Sequence, residues 1–244
     1  CQLLQRVHRG AGVFVSTFPQ CVKPHGDHRC IIGTKVREIA RLMQEVRAAQ
    51  RSPLGIGENI VIANPNAPTG LVLSLDEIER IVASNPDNVV IIDEAYVDFG
   101  AESCVALTEK YANLLVVCTY SKSRSMAGMR IGYIVANPEL INNLTTAKNS
   151  FNHFPIDAIN QVSGKAACED INYYVECSKK IVEQRESMYE FLIQRGWNVI
   201  PSKTNFIFAE HPNLNGETVY QKIKSDGILV RHFNTPGIEN FVRI

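Results

Sequence analysis

The sequence lacks the features that mark several large classes of protein. No apolar run approaches the ~20 residues that a membrane-spanning helix needs, and no secretory apolar segment stands near the start. Lysine plus arginine equals aspartate plus glutamate, at 25 each, so the zero net charge gives no general attraction to nucleic acid or to an anionic membrane. Internal repeats are also absent. These absences argue against a membrane protein, a solenoid and a basic nucleic-acid binder.

Paired cysteines are lacking as well. The seven cysteines are odd in number and include no C-x-x-C pair, which argues against a disulfide framework and favours a reduced, cytoplasmic protein. Cys21, His25, His28 and Cys30 are four potential metal ligands close together in the sequence. Because their order does not follow the paired spacing of zinc sites, we expect no metal there.

Residues 1–55 differ from the rest of the chain. They carry many arginines and few acids, begin without methionine and show no strand–helix alternation. Ile39–Ala49 has the periodicity of a basic amphipathic helix. A solvated helix face, or sequence without a native fold, is a simpler interpretation of this segment than an RNA- or partner-binding arm.

Regular structure is predicted from Asn59 onward. Four short apolar runs are typical of strands buried on both faces of a parallel sheet: Val61–Ala63, Val89–Ile92, Leu114–Cys118 and Ile131–Ala136. Between the first two, Ser74-Leu-Asp-Glu77 is a capping box that opens a helix through Val82. Strand, helix and strand together predict a βαβ unit, and hence an α/β fold with a mostly parallel sheet.

The second half of the chain predicts a smaller α+β region. A helix starts at Asn137-Pro138 and runs to Leu144, and Ile156–Arg195 predicts one or two long helices that stop at Gly196. The remaining predicted elements are strands Asn198–Pro201, Asn205–Ala209, Ile228–Arg231 and Phe241–Ile244, with helix Glu217–Ser225. We therefore divide the chain into an atypical segment 1–55, a large domain 56–150 and a small α+β domain 151–244.

Four motifs carry the chemistry. They are NPNAPTG (64–70), DEAYVDF (93–99), TYSKSRSMAGMRIGY (119–133), and VRHF (230–233) with FVRI (241–244). Polar residues that follow the strands of a doubly wound sheet gather in a crevice at the strand ends. In this order, over roughly residues 57–244, the motifs resemble fold-type I aminotransferases, and the middle ones look most like the histidinol-phosphate aminotransferases.

The resemblance implies a site for pyridoxal 5'-phosphate. The cofactor-binding residues that it implies are Asp93, Ala95, Tyr96, Thr119, Lys122, Arg130 and Asn66. Lys122 is the catalytic residue that holds the cofactor covalently, and Asp93 pairs with the protonated ring nitrogen. Outside these motifs, Asp93 would equally be a helix N-cap and Lys122 a surface lysine.

Each remaining cofactor contact has an implied partner. Ala95 packs against the ring, Tyr96 reaches its phenolic oxygen, and Thr119 and Arg130 hold its phosphate. Arg124 either assists Arg130 or is exposed to solvent.

One position departs from the family pattern. Many relatives carry asparagine directly before Pro-Thr-Gly, where it bonds the phenolic oxygen of the ring, but here that position is Ala67. Asn66 or Asn64 is left to supply this contact, and we favour Asn66.

The resemblance also implies the substrates. Arg231 corresponds to the residue that holds the phosphate of histidinol phosphate, Arg243 to the clamp for the substrate carboxylate, and Asn205 is a lesser candidate. The implied reaction is amino-group transfer between histidinol phosphate and 2-oxoglutarate in histidine biosynthesis, by a homodimer if the protein is complete. The alternatives are a threonine-phosphate decarboxylase-like enzyme and a truncated, non-catalytic remnant.

Parts of the family site are not recognised in this sequence. Residues 1–55 show neither the turn whose N–H groups bind the phosphate nor the aromatic that stacks on the ring, and the chain stops at Ile244 within a predicted strand. We therefore expect weak or no transaminase activity from this chain as it stands.

Overall fold

A computed structural model describes residues 12–17, 60–151 and 154–244 of the chain. The predicted helix Ile39–Ala49 and the cluster from Cys21 to Cys30 lie outside the described residues. Among the helices that are described, none combines the length and the apolar character needed to cross a membrane.

The first sheet has five strands, in the spatial order β1-β5-β4-β3-β2. Their bounds are β1 Gly12–Thr17, β2 Ile60–Ala63, β3 Val90–Asp93, β4 Leu114–Thr119 and β5 Ile131–Ala136. Strands β2, β3 and β4 are parallel, whereas β5 is antiparallel to both β4 and β1. The predicted α/β fold is confirmed, but within the described strands the parallel part is limited to β2–β4. Residues 120–130 connect β4 to β5 without a crossover helix, so β5 returns antiparallel.

Helix α1, Leu75–Ala83, connects β2 to β3 and confirms the predicted capping box. The Ser74 Oγ accepts from the N–H of Glu77 at 3.3 Å, and the Glu77 carboxylate accepts from the N–H of Ser74 at 2.9 Å. These two bonds satisfy donors at the first turn that the helix itself leaves unpaired. Ile78 and Val82 are fully buried against the apolar strands β3 and β4, which fixes α1 on one face of the sheet.

The second sheet is antiparallel, in the order β6-β7-β9-β8. It follows three helices, and the bounds of this part are α2 Pro138–Phe151, α3 Ala158–Glu169, α4 Ile171–Ile193, β6 Asn198–Ile200, β7 Phe208–Glu210, α5 Gly216–Ser225, β8 Arg231–His232 and β9 Phe241–Arg243. The prediction of one or two long helices over residues 156–195 is thus confirmed, with two observed. The helix predicted to end at Leu144 continues to Phe151.

Two strand predictions were wrong in their bounds. The strand predicted at Asn205–Ala209 begins only at Phe208, because the Thr204 hydroxyl accepts from the N–H of Phe206 at 3.3 Å and so offers the backbone a local partner in place of a strand. The strand predicted at Ile228–Arg231 is only Arg231–His232, because the N–H of Ile228 returns to Ile223 O, 3.2 Å away, at the end of α5.

The NPNAPTG turn packs directly against residues 202–203. The N–H of Lys203 donates to Gly70 O at 2.9 Å. Gly70 has φ +80°, and a Cβ built on it would overlap the Ser202 side chain, with Ser202 Cβ 2.7 Å away. Gly70 is therefore required both by its left-handed backbone and by the close approach of Ser202.

Arg185 of helix α4 joins the two sheets. Its side chain is 4% exposed, and Nη1 donates to Phe99 O at 2.8 Å and to Thr204 O at 2.7 Å. Nη2 pairs with the carboxylate of Glu186 at 2.5 Å. The buried guanidinium thus links the end of the DEAYVDF motif to the segment that leads into β7.

Three alanine substitutions separate the two constraints on Gly70. Gly70→Ala adds both a steric overlap and a disfavoured φ, and we expect it to lower the free energy of unfolding by about 2–4 kcal/mol. Gly227 shares the positive φ, at +82°, but a Cβ there meets nothing within 4 Å. Gly227→Ala should therefore lose only about 1 kcal/mol.

Gly128 serves as the control, because its Cβ would also meet nothing and its φ is not positive. Urea denaturation of the three variants measures the free energies. A loss in Gly70→Ala no larger than in Gly227→Ala would contradict the contact with Ser202.

Candidate active site

The predicted cofactor residues lie at one edge of the first sheet. Asp93 and Thr119 are the last residues of the parallel strands β3 and β4. Arg130 immediately precedes β5, and Thr119 pairs with Gly132 in the register of β4 and β5. Because β5 runs antiparallel to β4, its start meets the end of β4. The loop that carries Lys122 connects these two strand ends, so all four residues belong to the same edge.

Lys122 and Asp93 form the charged centre of this edge. Lys122 is exposed, and its Nζ lies 5.3 Å from the centre of the Tyr96 ring. Burial raises the pKa of the Asp93 carboxyl, and the N–H of Ala95 and the nearby Lys122 charge partly oppose that rise. Asp93 Oδ1 accepts from the N–H of Ala95 at 3.0 Å. The edge therefore holds an amine, a carboxyl and a phenol within one small region.

The loop after Lys122 is fastened to the DEAYVDF motif. The Ser123 hydroxyl donates to the carboxylate of Asp98, and Arg124 Nη1 lies 3.6 Å from the same carboxylate. The Arg124 guanidinium also lies over the Tyr174 ring at 5.3 Å. The side chain of Arg124 is only 13% exposed. Of the two interpretations left open for Arg124, the exposed one is wrong, and its contacts are with Asp98 and Tyr174.

Arg130 keeps most of its guanidinium accessible. The residue is exposed and has φ 56°, and its Nη1 donates to Ala127 O at 2.9 Å. A non-glycine residue in this left-handed region is uncommon and persists where its surroundings hold it. Thr119 Oγ1 lies 2.9 Å from Ser121 Oγ and accepts from the N–H of Ser121 at 3.1 Å. One guanidinium and two hydroxyls therefore gather where an anion is expected.

The structure separates the two asparagine candidates. Asn64 is 2% exposed, and its side-chain amide is bonded at both ends to the backbone of Leu73, at 2.6 and 3.2 Å. Because it is buried and bonded through both its oxygen and its nitrogen, it holds the turn and is not exposed to a ligand. Asn66 Oδ1 accepts from the Thr69 hydroxyl at 2.8 Å, and within the described residues its Nδ2 has no hydrogen-bond partner. Asn66 therefore remains the candidate.

The predicted substrate arginines share one aromatic residue. Arg231 and Arg243 are register partners in β8 and β9, and their guanidinium carbons lie 5.5 and 5.7 Å from the Phe233 ring. The structure does not bring Asn205 to this pair. Asn205 is exposed and lines a cleft of about 330 Å³ beside α4, and neither arginine borders that cleft.

Phe206 connects the cofactor edge to the arginines, and the sequence motifs did not identify it. Its ring meets the Tyr96 ring edge to face at a centroid distance of 5.3 Å, and the Arg243 guanidinium lies over it at 4.9 Å. Contacts therefore run from Lys122 through Tyr96 and Phe206 to Arg243. We call Tyr96 and Phe206 the aromatic bridge. Its only sequence signal was the position of Phe206 directly after the candidate Asn205.

Glu94 is a second residue whose role the motifs did not reveal. It is 2% exposed, and its carboxylate accepts from the Ser103 hydroxyl and the N–H of Cys104, both at 2.6 Å. Burial raises the pKa of this carboxyl. These bonds hold the segment after the DEAYVDF motif, so Glu94 stabilises the loop and does not face the edge.

Comparison with known proteins assigns the family. The sequence pattern of "Aminotransferase class I and II" matches residues 42–244. The chain belongs to the class I and II aminotransferases. Histidinol-phosphate aminotransferase 1 of Oceanobacillus iheyensis is 48% identical over 185 residues, which are 76% of this chain and 52% of that protein. The histidinol-phosphate aminotransferase of Acinetobacter baumannii is 47% identical over 212 residues, 87% of this chain and 58% of that protein.

Solved structures of this aminotransferase family share the fold. The histidinol-phosphate aminotransferase of Sinorhizobium meliloti, in complex with pyridoxal-5'-phosphate, matches with a TM-score of 0.67 at 25% identity, over 83% of this chain and 55% of that one. The histidinol-phosphate aminotransferase from Clostridium acetobutylicum matches with a TM-score of 0.66 at 26% identity, over 76% of this chain and 57% of that one. The chain spans little more than half the length of these relatives. No group of three metal-ligating side chains occurs in the part of the chain that the structure describes.

Asp93→Asn tests the burial of this carboxyl in the cofactor-free aminotransferase chain. A raised pKa means that the folded chain binds the proton more tightly than the unfolded chain does. Ionising Asp93 therefore costs stability as the pH rises from the unfolded pKa near ~3.9 to the folded value. Asparagine keeps an oxygen for the N–H of Ala95 and does not ionise.

We expect Asp93→Asn to be more stable than the wild type at pH 7, and the difference to vanish towards pH 3. Thermal unfolding across this range measures it. Asp87→Asn, which changes an exposed carboxyl, controls for net charge. Equal stability of Asp93→Asn and the wild type at pH 7 would show that the carboxyl is not buried as described.

Proposed function

We propose that this aminotransferase transfers an amino group between histidinol phosphate and 2-oxoglutarate with pyridoxal 5'-phosphate, as a step of histidine biosynthesis. The observation that carries the proposal is the continuous path of contacts from Lys122 through the aromatic bridge to Arg243. This path joins the Lys122 amine, at the sheet edge that carries the predicted cofactor residues, to the guanidinium of Arg243, a predicted substrate residue. The 47–48% identity to curated histidinol-phosphate aminotransferases supports the choice of substrate.

The donor set at the sheet edge fits pyridoxal phosphate. The group offers a pyridine nitrogen, a phenolic oxygen, an aldehyde and a phosphate dianion, and the edge offers Asp93, Tyr96, Lys122 and Arg130 in the matching chemical roles. Asp93 Oδ2 has no hydrogen-bond partner within the described residues, so it is available to a ring N–H. Asn66 Nδ2 is a further donor for the phenolic oxygen, and Ala95 offers a small face to the ring. When bound, the cofactor withdraws electrons from the substrate carbon that carries the amine.

The residues of this chain then have separate tasks. Asp93 keeps the proton on the ring nitrogen, because an anion beside that nitrogen favours its cationic form. Lys122 Nζ, exposed at the end of the edge, would accept the proton that leaves the substrate carbon and donate it on the other side of the amine nitrogen. Arg130, with the hydroxyls of Thr119 and Ser121, would hold the phosphate and so keep the cofactor at the edge that carries Lys122.

The substrate side must accept two different anions in turn. Histidinol phosphate brings a phosphate and no carboxylate, whereas glutamate brings two carboxylates. Arg231 and Arg243 stand on neighbouring strands beside Phe233, so one substrate phosphate or a carboxylate pair finds guanidinium donors in the same place. We retain Asn205 as the weakest substrate candidate, because it lines another cleft.

Threonine-phosphate decarboxylation is the second candidate reaction within this fold. The L-threonine-O-3-phosphate decarboxylase of Porphyromonas gingivalis matches with a TM-score of 0.66, but at 23% identity it supports the fold alone. The much higher identity to the histidinol-phosphate aminotransferases favours transamination.

The organisation of the whole protein is part of the same proposal. We propose a large domain over 56–150, a small domain over 151–244, a homodimeric assembly and a cytoplasmic location. The cysteines support the location, because Cys104, Cys118 and Cys177 form no disulfide within the described residues.

Covalent labelling tests the assignment of Lys122. Borohydride reduction of the chain with pyridoxal phosphate, followed by peptide mapping, should place the label on Lys122. Lys122→Ala should lose the label and reduce turnover by at least about 1,000-fold, because no other group moves the proton. Lys148→Ala removes a half-buried lysine that bonds Phe154 O and is the matched control. A label on Lys148 or Lys203 in the wild type would overturn the assignment.

The reaction is tested with histidinol phosphate and 2-oxoglutarate, with threonine phosphate as the competing substrate. The assay uses this chain and, in parallel, the chain preceded by the N-terminal region of a relative, since the chain spans only 52–58% of the curated relatives. Glutamate formation supports the proposal. Release of carbon dioxide from threonine phosphate, or no turnover by either protein, would contradict it.

A further inference from the structure

Strand β8 carries Arg231 but is held in the sheet by few backbone hydrogen bonds. It consists of Arg231 and His232 only, and it lies at the edge of the second sheet. Among the described strands it pairs only with β9, through Arg231 opposite Arg243 and His232 opposite Val242. A two-residue edge strand forms few ladder bonds, so its position depends on side-chain contacts.

His232 supplies those contacts. Its side chain is 7% exposed, and Nδ1 lies 3.0 Å from the carboxylate of Glu217 in the first turn of α5. Nε2 lies 2.8 Å from Glu239 O, in the segment before β9. The Tyr220 ring stacks beside the imidazole at 6.2 Å. A Cβ on Gly216 would lie 2.9 Å from His232 Cδ2, so this glycine leaves the space that the imidazole fills.

Both nitrogen partners of His232 are acceptors. A carboxylate oxygen and a backbone carbonyl oxygen have no proton to donate, and a neutral imidazole carries only one N–H. Both contacts are hydrogen bonds only if the ring is an imidazolium. His211 has the opposite arrangement, because its Nδ1 accepts from the N–H groups of Asn213 and Leu214 at 3.0 and 3.1 Å. The chain therefore contains an internal contrast between a donating and an accepting histidine.

We propose that His232 is a positioning residue which, as an imidazolium, ties β8 to α5 and to the segment before β9, and thereby holds Arg231 in place for the substrate phosphate. This rests on the proposed function. The groups that face the ring are the Glu217 carboxylate and Tyr220 from α5 and Glu239 O; its partner on β9 is the uncharged Val242. Loss of either bond frees one side of β8. The KM for the phosphate-bearing substrate then rises.

The hydrogen-bonding state of the His232 ring is tested first, by a measurement that does not need enzyme activity. Nitrogen NMR of the full chain distinguishes protonated from bare imidazole nitrogens, and His232→Gln and His211→Gln identify the two signals. In the same sample we expect N–H signals from both nitrogens of His232, because both face acceptors, and a bare Nδ1 in His211, because it accepts from two N–H groups. The same pattern in the two histidines would overturn the proposal.

The effect on Arg231 is tested by kinetics from pH 6 to 9. His232→Phe keeps an aromatic ring beside Tyr220 but donates no hydrogen bond. Glu217→Gln removes the charge from the partner of His232, and because that side chain is half-exposed, we expect this variant to fold. In both variants we expect the KM for histidinol phosphate to rise about threefold to tenfold at pH 6.5, with kcat nearly unchanged. His211→Gln should behave as the wild type.

Equal KM values for His232→Phe, Glu217→Gln and the wild type would refute the positioning role. If the wild type itself turns over no histidinol phosphate, the proposed function fails. The role of His232 is then decided by the binding of inorganic phosphate. This binding is measured by NMR as the shift of the Arg231 Nε signal. Weaker phosphate binding in Glu217→Gln than in His211→Gln supports the role of His232. Identical binding in the two variants refutes it.

Discussion

A buried guanidinium ties together the two segments that carry the aromatic bridge. Arg185 bonds Phe99 O and Thr204 O, which belong to segments far apart in the sequence. Removing the partners of a buried charge costs about 3–5 kcal/mol, so α4 cannot move away from either segment without a large loss of stability. Tyr96 lies just before Phe99 and Phe206 just after Thr204, so this side chain, together with the bond from the Lys203 N–H to Gly70 O, holds the aromatic bridge between the cofactor edge and Arg243.

The parts of the fold that depend on local chemistry were predictable from the sequence. The Ser74–Glu77 capping box and the buried face of α1 follow from residue types a few positions apart. The charged edge was predictable for a similar reason. Asp93 ends one parallel strand and Lys122 follows another, and parallel strands collect the residues at their carboxyl ends. Arg130 joins them only because β5, which it precedes, runs antiparallel to β4. The reversed direction of β5 was not predictable from its composition, since β-branched runs are common to both kinds of sheet.

The parts that depend on distant contacts were not predictable. Phe206 and Arg185 sit in no motif, and their roles come from partners on other elements. The choice between Asn64 and Asn66 depended on the backbone of Leu73, which forms hydrogen bonds with both the oxygen and the nitrogen of the Asn64 amide. Likewise, the late start of β7 follows from the Thr204 hydroxyl, whose bond to the N–H of Phe206 competes with an apolar run that favours a strand.

The contact between Gly70 and Ser202 also limits how this sequence can diverge. The space that a Cβ on Gly70 would need is filled by the Ser202 side chain, and Ser202 is itself bonded to Thr204 Oγ1 at 2.8 Å. Shrinking residue 202 would not by itself admit a larger residue 70, because Ser202 Cα also lies 3.0 Å from the Cβ position and the positive φ remains. Position 70 is therefore closed to side chains by the local backbone and by a distant segment at once, so no single second substitution reopens it.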